Sequence, residues 1–103
     1  MYYECGDGWK SLINEALQIV KEYNENHTKL DRQVVITNIK EENGCLVFSF
    51  KPYIAEIAMK LYNLEKQSLR ICEMCGSKNN VSNEYINGSM KTLCTHCIEK
   101  INN

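Results

Sequence analysis

Four cysteines in the last third of the chain stand as two Cys-x-x-Cys pairs, Cys72 with Cys75 and Cys94 with Cys97, with 18 residues between the pairs. Two thiolates three positions apart on a tight turn can bind one ion. A second pair brought alongside completes a tetrahedral shell of soft sulfur ligands, the set that zinc favours. Four such ligands leave no position for water or substrate, so the expected ion is one structural zinc that holds the fold and does no chemistry. Disulfide stapling is the first competitor. It is opposed by the knuckle spacing, by two further cysteines, Cys5 and Cys45, that read as free thiols, and by the lack of a secretory signal pattern at the amino terminus. A redox Cys-x-x-Cys is the second, but that motif occurs once, at a helix start in a βαβ pattern, and here it occurs twice without one. His96 lies between the last two cysteines, whose sulfurs already complete the shell, and is expected at the surface.

Those ligands need elements to carry them. Gly76 follows the first pair where the chain must turn sharply, and glycine accepts the positive φ of such a turn. Val81 to Ile86 and Met90 to Leu93 predict two short strands around Asn87-Gly88, a dipeptide suited to a hairpin. The second pair then opens a last helix over Thr95 to Ile101, whose amino-terminal dipole favours thiolate. Knuckle, hairpin, knuckle and short helix make a zinc-ribbon or treble-clef arrangement.

Upstream, Trp9, Leu12, Ile13, Ala16, Leu17, Val20 and Tyr23 fall at helical spacing, with Asp7 as the expected N-cap. A polar connection containing His27 runs from Asn24 to Arg32. Gln33 to Ile39 and Cys45 to Phe50 predict a strand pair around Glu41-Glu42-Asn43-Gly44, with Leu46, Phe48 and Phe50 on one face. Pro52 is expected in the first turn of a second helix whose stripe is Ile54, Ile57, Ala58, Leu61, Leu64, Ser68 and Leu69. The fold class is therefore α+β. A helix, β-hairpin, helix core over residues 1–71 is followed by a four-cysteine zinc-ribbon or treble-clef-like module over 72–103. A two-stranded hairpin is marginal alone, so Tyr2 to Cys5, the second hairpin or another copy of the chain, as a homodimer, is expected to extend it.

At 103 residues and 44% hydrophobic, the chain has about one domain's worth of core and gains from a metal staple. No apolar run reaches the about 18 residues of a membrane span, and the cysteine usage points to a reducing, cytoplasmic setting. Formal net charge is −1, and four thiolates around a divalent ion bring it to about −3. From Arg70 onward Arg70, Lys78, Lys91 and Lys100 face Glu73, Glu84 and Glu99, so nonspecific nucleic-acid affinity is not what this composition favours. No phosphate-cradling glycine motif, His-Glu-x-x-His or paired nucleophile and base is present, which argues against an enzyme.

Four stretches together resemble small zinc-ribbon or treble-clef-like proteins of phages, prophages and other mobile elements. They are Glu4-Cys5-Gly6-Asp7-Gly8-Trp9, Lys40-Glu41-Glu42-Asn43-Gly44-Cys45-Leu46-Val47-Phe48, Ser68-Leu69-Arg70-Ile71-Cys72-Glu73-Met74-Cys75-Gly76 and Thr92-Leu93-Cys94-Thr95-His96-Cys97. Asn43 stands where that pattern has phenylalanine and Val47 where it has arginine, so any role of that arginine is absent here. The resemblance implies the fold and a mobile-element setting and carries no enzymatic activity. With the closed ion site and the acidic balance, it implies a protein-binding module, an inhibitor of a host defence system such as a CRISPR nuclease, acting through electrostatic complementarity. A non-inhibitory adaptor is the plainer form of the same idea. Nucleic-acid binding is the alternative, through Arg70, Lys78, Lys91 and Lys100 with Tyr85 for stacking. Glu4, Cys5, Asp7 and Trp9 form a second place to watch: an exposed Trp9 would be a partner hot spot, a buried one a core anchor, and its helical spacing favours the core.

Overall fold

The apolar spacing from Trp9 to Tyr23 produces the longest helix, α1 (Lys10–Asn26), which buries Leu12, Ile13, Ala16, Val20 and Tyr23. The computed structural model describes residues 6–27, 29 and 33–102; the expectations for Tyr2, Tyr3, Glu4 and Cys5 lie outside them. Asp7 is not the N-cap. The chain enters α1 through a 3-10 turn, Asp7–Trp9, and neither start has a side-chain cap hydrogen bond. Contacts with a distant segment, described below, hold this entry in place of a cap. At the other end His27 stacks on Tyr23 with ring centroids 4.0 Å apart. The helix thus runs three residues, Asn24 to Asn26, into the stretch expected as a polar connection.

Strands β1 (Val35–Glu42) and β2 (Cys45–Lys51) pair antiparallel, with Ile39 opposite Phe48 and Glu41 opposite Leu46. The turn is shorter than expected because Glu41 and Glu42 stay in the strand. Only Asn43 and Gly44 turn, at φ 54° and 80°, and positive φ at both positions is what a two-residue hairpin of this hand requires. Along β2 the burial alternates as the period of a half-buried strand dictates, with Leu46 and Phe48 inside. Pro52 lies ahead of the second helix, α2 (Ala55–Ser68), and not in its first turn: the N-cap, Ile54, is still extended at φ −129°, ψ 119°. Helix α2 buries Ile57, Leu61, Leu64 and Ser68 and packs on β2 and α1.

Strands β3 (Val81–Ile86) and β4 (Ser89–Cys94) form the second hairpin, turning at Asn87-Gly88, and α3 (Thr95–Asn102) follows directly. The two hairpins are separate two-stranded antiparallel sheets, so the second does not extend the first. Instead the tip of the first docks on the side of β4. The Thr92 hydroxyl donates to the Gly44 carbonyl, and Lys91 Nζ lies 3.2 Å from a Glu41 carboxylate oxygen. The outer edge of β2 is covered from within the chain. Leu46 N–H donates to Ser68 Oγ at 2.9 Å and Phe48 N–H to the Glu65 carboxylate at 2.8 Å. Ser68 therefore sits in an apolar stripe for a polar reason. Ser68→Ala strands the buried Leu46 donor and is expected to cost about 1–2 kcal/mol, read as a lower urea midpoint with unchanged slope.

Buried residues fall into two clusters. The larger gathers α1, both strands of the first hairpin and α2 around Trp9, Ile13, Ile39, Leu46 and Leu61. The smaller contains Cys72, Leu93, Cys94 and Cys97. The molecule is long, with extents of 53 × 24 × 21 Å. Among the described residues no helix is long and apolar enough to cross a membrane.

Candidate metal centre

The α2 helix ends at Ser68, and after two turn residues the chain buries Ile71 and Cys72 and turns again through Gly76 at φ 83°. Gly76 N–H donates to the Cys72 carbonyl at 2.9 Å and Cys72 N–H to the Ser77 carbonyl at 2.8 Å, which closes the first knuckle. The second knuckle is made where β4 ends at Cys94 and α3 carries Cys97. The ligand atoms of Cys72, Cys75, Cys94 and Cys97 all lie within 4.8 Å of one another, and Cys75 Sγ is 3.6 Å from Cys94 Sγ. Zinc–sulfur bonds of about 2.3 Å in a tetrahedron place sulfurs about 3.8 Å apart, so the cage fits such an ion. A disulfide needs about 2.05 Å, and all four thiols are free. Among the described residues this is the one cluster of three or more metal-binding side chains. His96 is exposed and stands outside it.

The electrostatics suit a cation. Burial pushes the Cys72 thiol up, but the backbone N–H groups of Cys75, Cys94 and Met74 outweigh it and bring it down to about 6. Cys97 moves the other way, pushed up to about 12 by burial and by the sulfurs of Cys72, Cys94 and Cys75. Cys75 receives the Ser77 N–H, which lowers it, yet desolvation and the neighbouring Cys94 and Cys72 leave it raised. Of these three Cys72 is the readier thiolate, and a cation that binds Cys75 and Cys97 must displace their protons.

Two further segments hold the first knuckle. Glu73 is buried; its N–H donates to the Thr92 carbonyl at 2.9 Å, and its carboxylate accepts the Thr92 N–H at 3.1 Å, so it grips β4 from both ends. Burial pushes the Glu73 carboxyl up, while the Thr92 N–H and Lys91, 3.7 Å away, pull it back. On the opposite side lies the entry to α1. Gly8 N–H donates to the Glu73 carbonyl at 2.9 Å, and Trp9 Nε1–H donates to the Ile71 carbonyl at 2.9 Å. A Cβ on Gly8 would stand 2.0 Å from the Cys72 carbonyl oxygen, so only glycine permits this approach.

Trp9 is 0% exposed and is a core anchor, which removes it as a partner contact. Asp7 is exposed next to it, while Glu4 lies outside the described residues. Lys91 is not a free cation, because Glu41 and Glu73 both pair with it and the Glu41 carboxylate holds its ammonium group above the ordinary lysine range. Arg70 and Lys78 line one hollow together with Gln67 and Ile71; Tyr85, 72% exposed on β3, does not line it. Sequence reasoning missed Gly8, Ser68 and Thr92 as structural contacts, since their partners are distant in the chain. No family model, curated protein or solved structure matches this chain.

Proposed function

We propose that the chain is a small zinc-stabilised interaction module that binds another protein, built as a helix, hairpin, helix part over residues 1–71 and a ribbon or treble-clef-like part over 72–103. Zinc is the ion that four thiolates at this spacing favour, and a closed sulfur shell has a structural role. The observation that carries the reading is an apolar face left in solvent. Met59 and Tyr62, 70% and 59% exposed, line a hollow of about 390 Å³ with Phe48, Phe50, Ala58 and Leu61 and one carboxylate, Glu65, and Tyr53 is 76% exposed. Phe50, in the wall of the hollow, stacks on Tyr53 with centroids 6.2 Å apart. Clustered exposed apolar side chains mark interaction sites more often than scattered ones do, and aromatic and methionine side chains are favoured contact residues.

In the mobile-element setting that the resemblance implies, the partner would be a host defence protein such as a CRISPR nuclease. The test is capture from the native host with the wild-type chain and with Met59→Glu. One protein should be recovered with the wild type and lost with the variant while zinc content stays the same. Equal recovery with both, or recovery with neither, contradicts the reading.

A further inference from the structure

The last turn of α2 and the knuckle that follows it meet at an elbow, and two hollows adjoin there. One, of about 520 Å³, is lined by Asn63, Lys66, Gln67, Leu69 and Arg70. The other, of about 280 Å³, is lined by Gln67, Arg70, Ile71 and Lys78. They share Gln67 and Arg70 and adjoin across those two side chains, and together they are taken as one groove. It has three cations and no carboxylate in its walls. Among the described residues the ion pairs involve Lys60 and Lys91, and none of the three groove cations. In a chain of net charge −1 this is a local concentration of positive charge that the overall balance conceals. At the upper end Lys66 Nζ stands 5.5 Å from the centroid of the Tyr62 ring, which is itself exposed.

We propose that this groove binds single-stranded nucleic acid, with phosphates on Lys66, Arg70 and Lys78 and a base stacked on Tyr62. A basic groove that tracks a backbone beside an aromatic face is the combination single strands use, because every base has a face to stack whereas the phosphates carry no sequence information. The amide side chains of Asn63 and Gln67 add donors and acceptors for a base edge. An acidic protein segment would engage the cations but leave the ring and the amides without a role. The groove adjoins the apolar hollow of Phe48 and Phe50, whose wall includes Tyr62, so the ring belongs to both surfaces while the three cations belong to the groove alone.

The experiment is fluorescence anisotropy of a short labelled oligo(dT) titrated with the zinc-loaded full chain at increasing salt. About three phosphate contacts on a single strand give a slope of log affinity against log salt of about −2. Replacing Lys66, Arg70 and Lys78 together by Gln should weaken binding at least about tenfold at low salt and flatten the slope towards zero. Tyr62→Ala should weaken binding roughly tenfold and leave the slope unchanged. If the triple variant loses zinc, Lys78→Gln alone, which lies outside α2, decides the matter by a slope smaller by about 0.7. Three results would overturn the proposal: no binding by the wild-type chain at low salt, a groove variant with wild-type affinity and slope, or an oligoglutamate of equal charge that displaces the oligonucleotide at equal concentration.

Discussion

Cys72→Ser is expected to abolish zinc retention and to remove more than about 5 kcal/mol of stability, which for so small a domain is most of what it has. The smaller cluster explains the size of the effect. Apart from the cysteines, its one fully buried apolar side chain is Leu93, packed by the half-buried Val81, Ile86 and Ile98. Burial of that much apolar surface cannot offset the cost of ordering both knuckles and the second hairpin without the metal. The loss should also spread. Gly8 and Trp9 are hydrogen-bonded to the segment that begins at Ile71, so release of the knuckle loosens the entry to α1. Trp9 is the one tryptophan of the chain and is fully buried, which makes its emission a direct report. A red shift should accompany chelation of the wild-type protein and be present from the start in Cys72→Ser. Unchanged melting and unchanged emission in both would contradict a metal that holds the fold.

Gly8→Ala is expected to cost about 3 kcal/mol and to lower the melting temperature by about 15 °C, although it adds one methyl group far in sequence from any ligand. The added carbon would lie 2.0 Å from the Cys72 carbonyl oxygen and 2.6 Å from the Glu73 carbonyl carbon. Both are backbone atoms of the knuckle, so no side chain can swing away to make room. Either the α1 entry lifts off, breaking the Gly8 N–H and Trp9 Nε1–H bonds, or the knuckle shifts and its sulfurs leave their tetrahedral positions. Zinc affinity should fall in step with stability. Asp7→Ala, one residue earlier and exposed without a cap bond, should stay within about 0.5 kcal/mol of wild type. Equal melting of the two variants would show that the contact does not exist.

Features fixed by local pattern were legible in the sequence. Helical spacing from Trp9 to Tyr23, alternation at Leu46 and Phe48, Asn-Gly at both hairpin turns and two cysteine pairs each state their own geometry within a few residues. The four sulfurs that those pairs place together needed no knowledge of the rest of the fold. What was illegible depends on partners far away in the chain. Gly8 looks like any loop glycine until Cys72 is set against it. Ser68 looks like a flaw in an apolar stripe until Leu46 presents a donor to it. Lys91 looks like a free cation until Glu41 arrives from another hairpin. Lys66 was passed over because charge was counted by segment, whereas the groove gathers it with Arg70 and Lys78 across the end of a helix and the turn of a knuckle. The position of Pro52 failed for a local reason: a proline can open a helix, but the extended backbone at Ile54 shows that this one precedes it.

The central claim is a closed cage of four sulfurs around one zinc ion. Metal analysis with X-ray absorption on the purified full chain tests it most directly. The account predicts one zinc per chain and a first shell of four sulfur atoms at about 2.3 Å. A folded chain without metal, or a shell containing a nitrogen or oxygen scatterer, would contradict it.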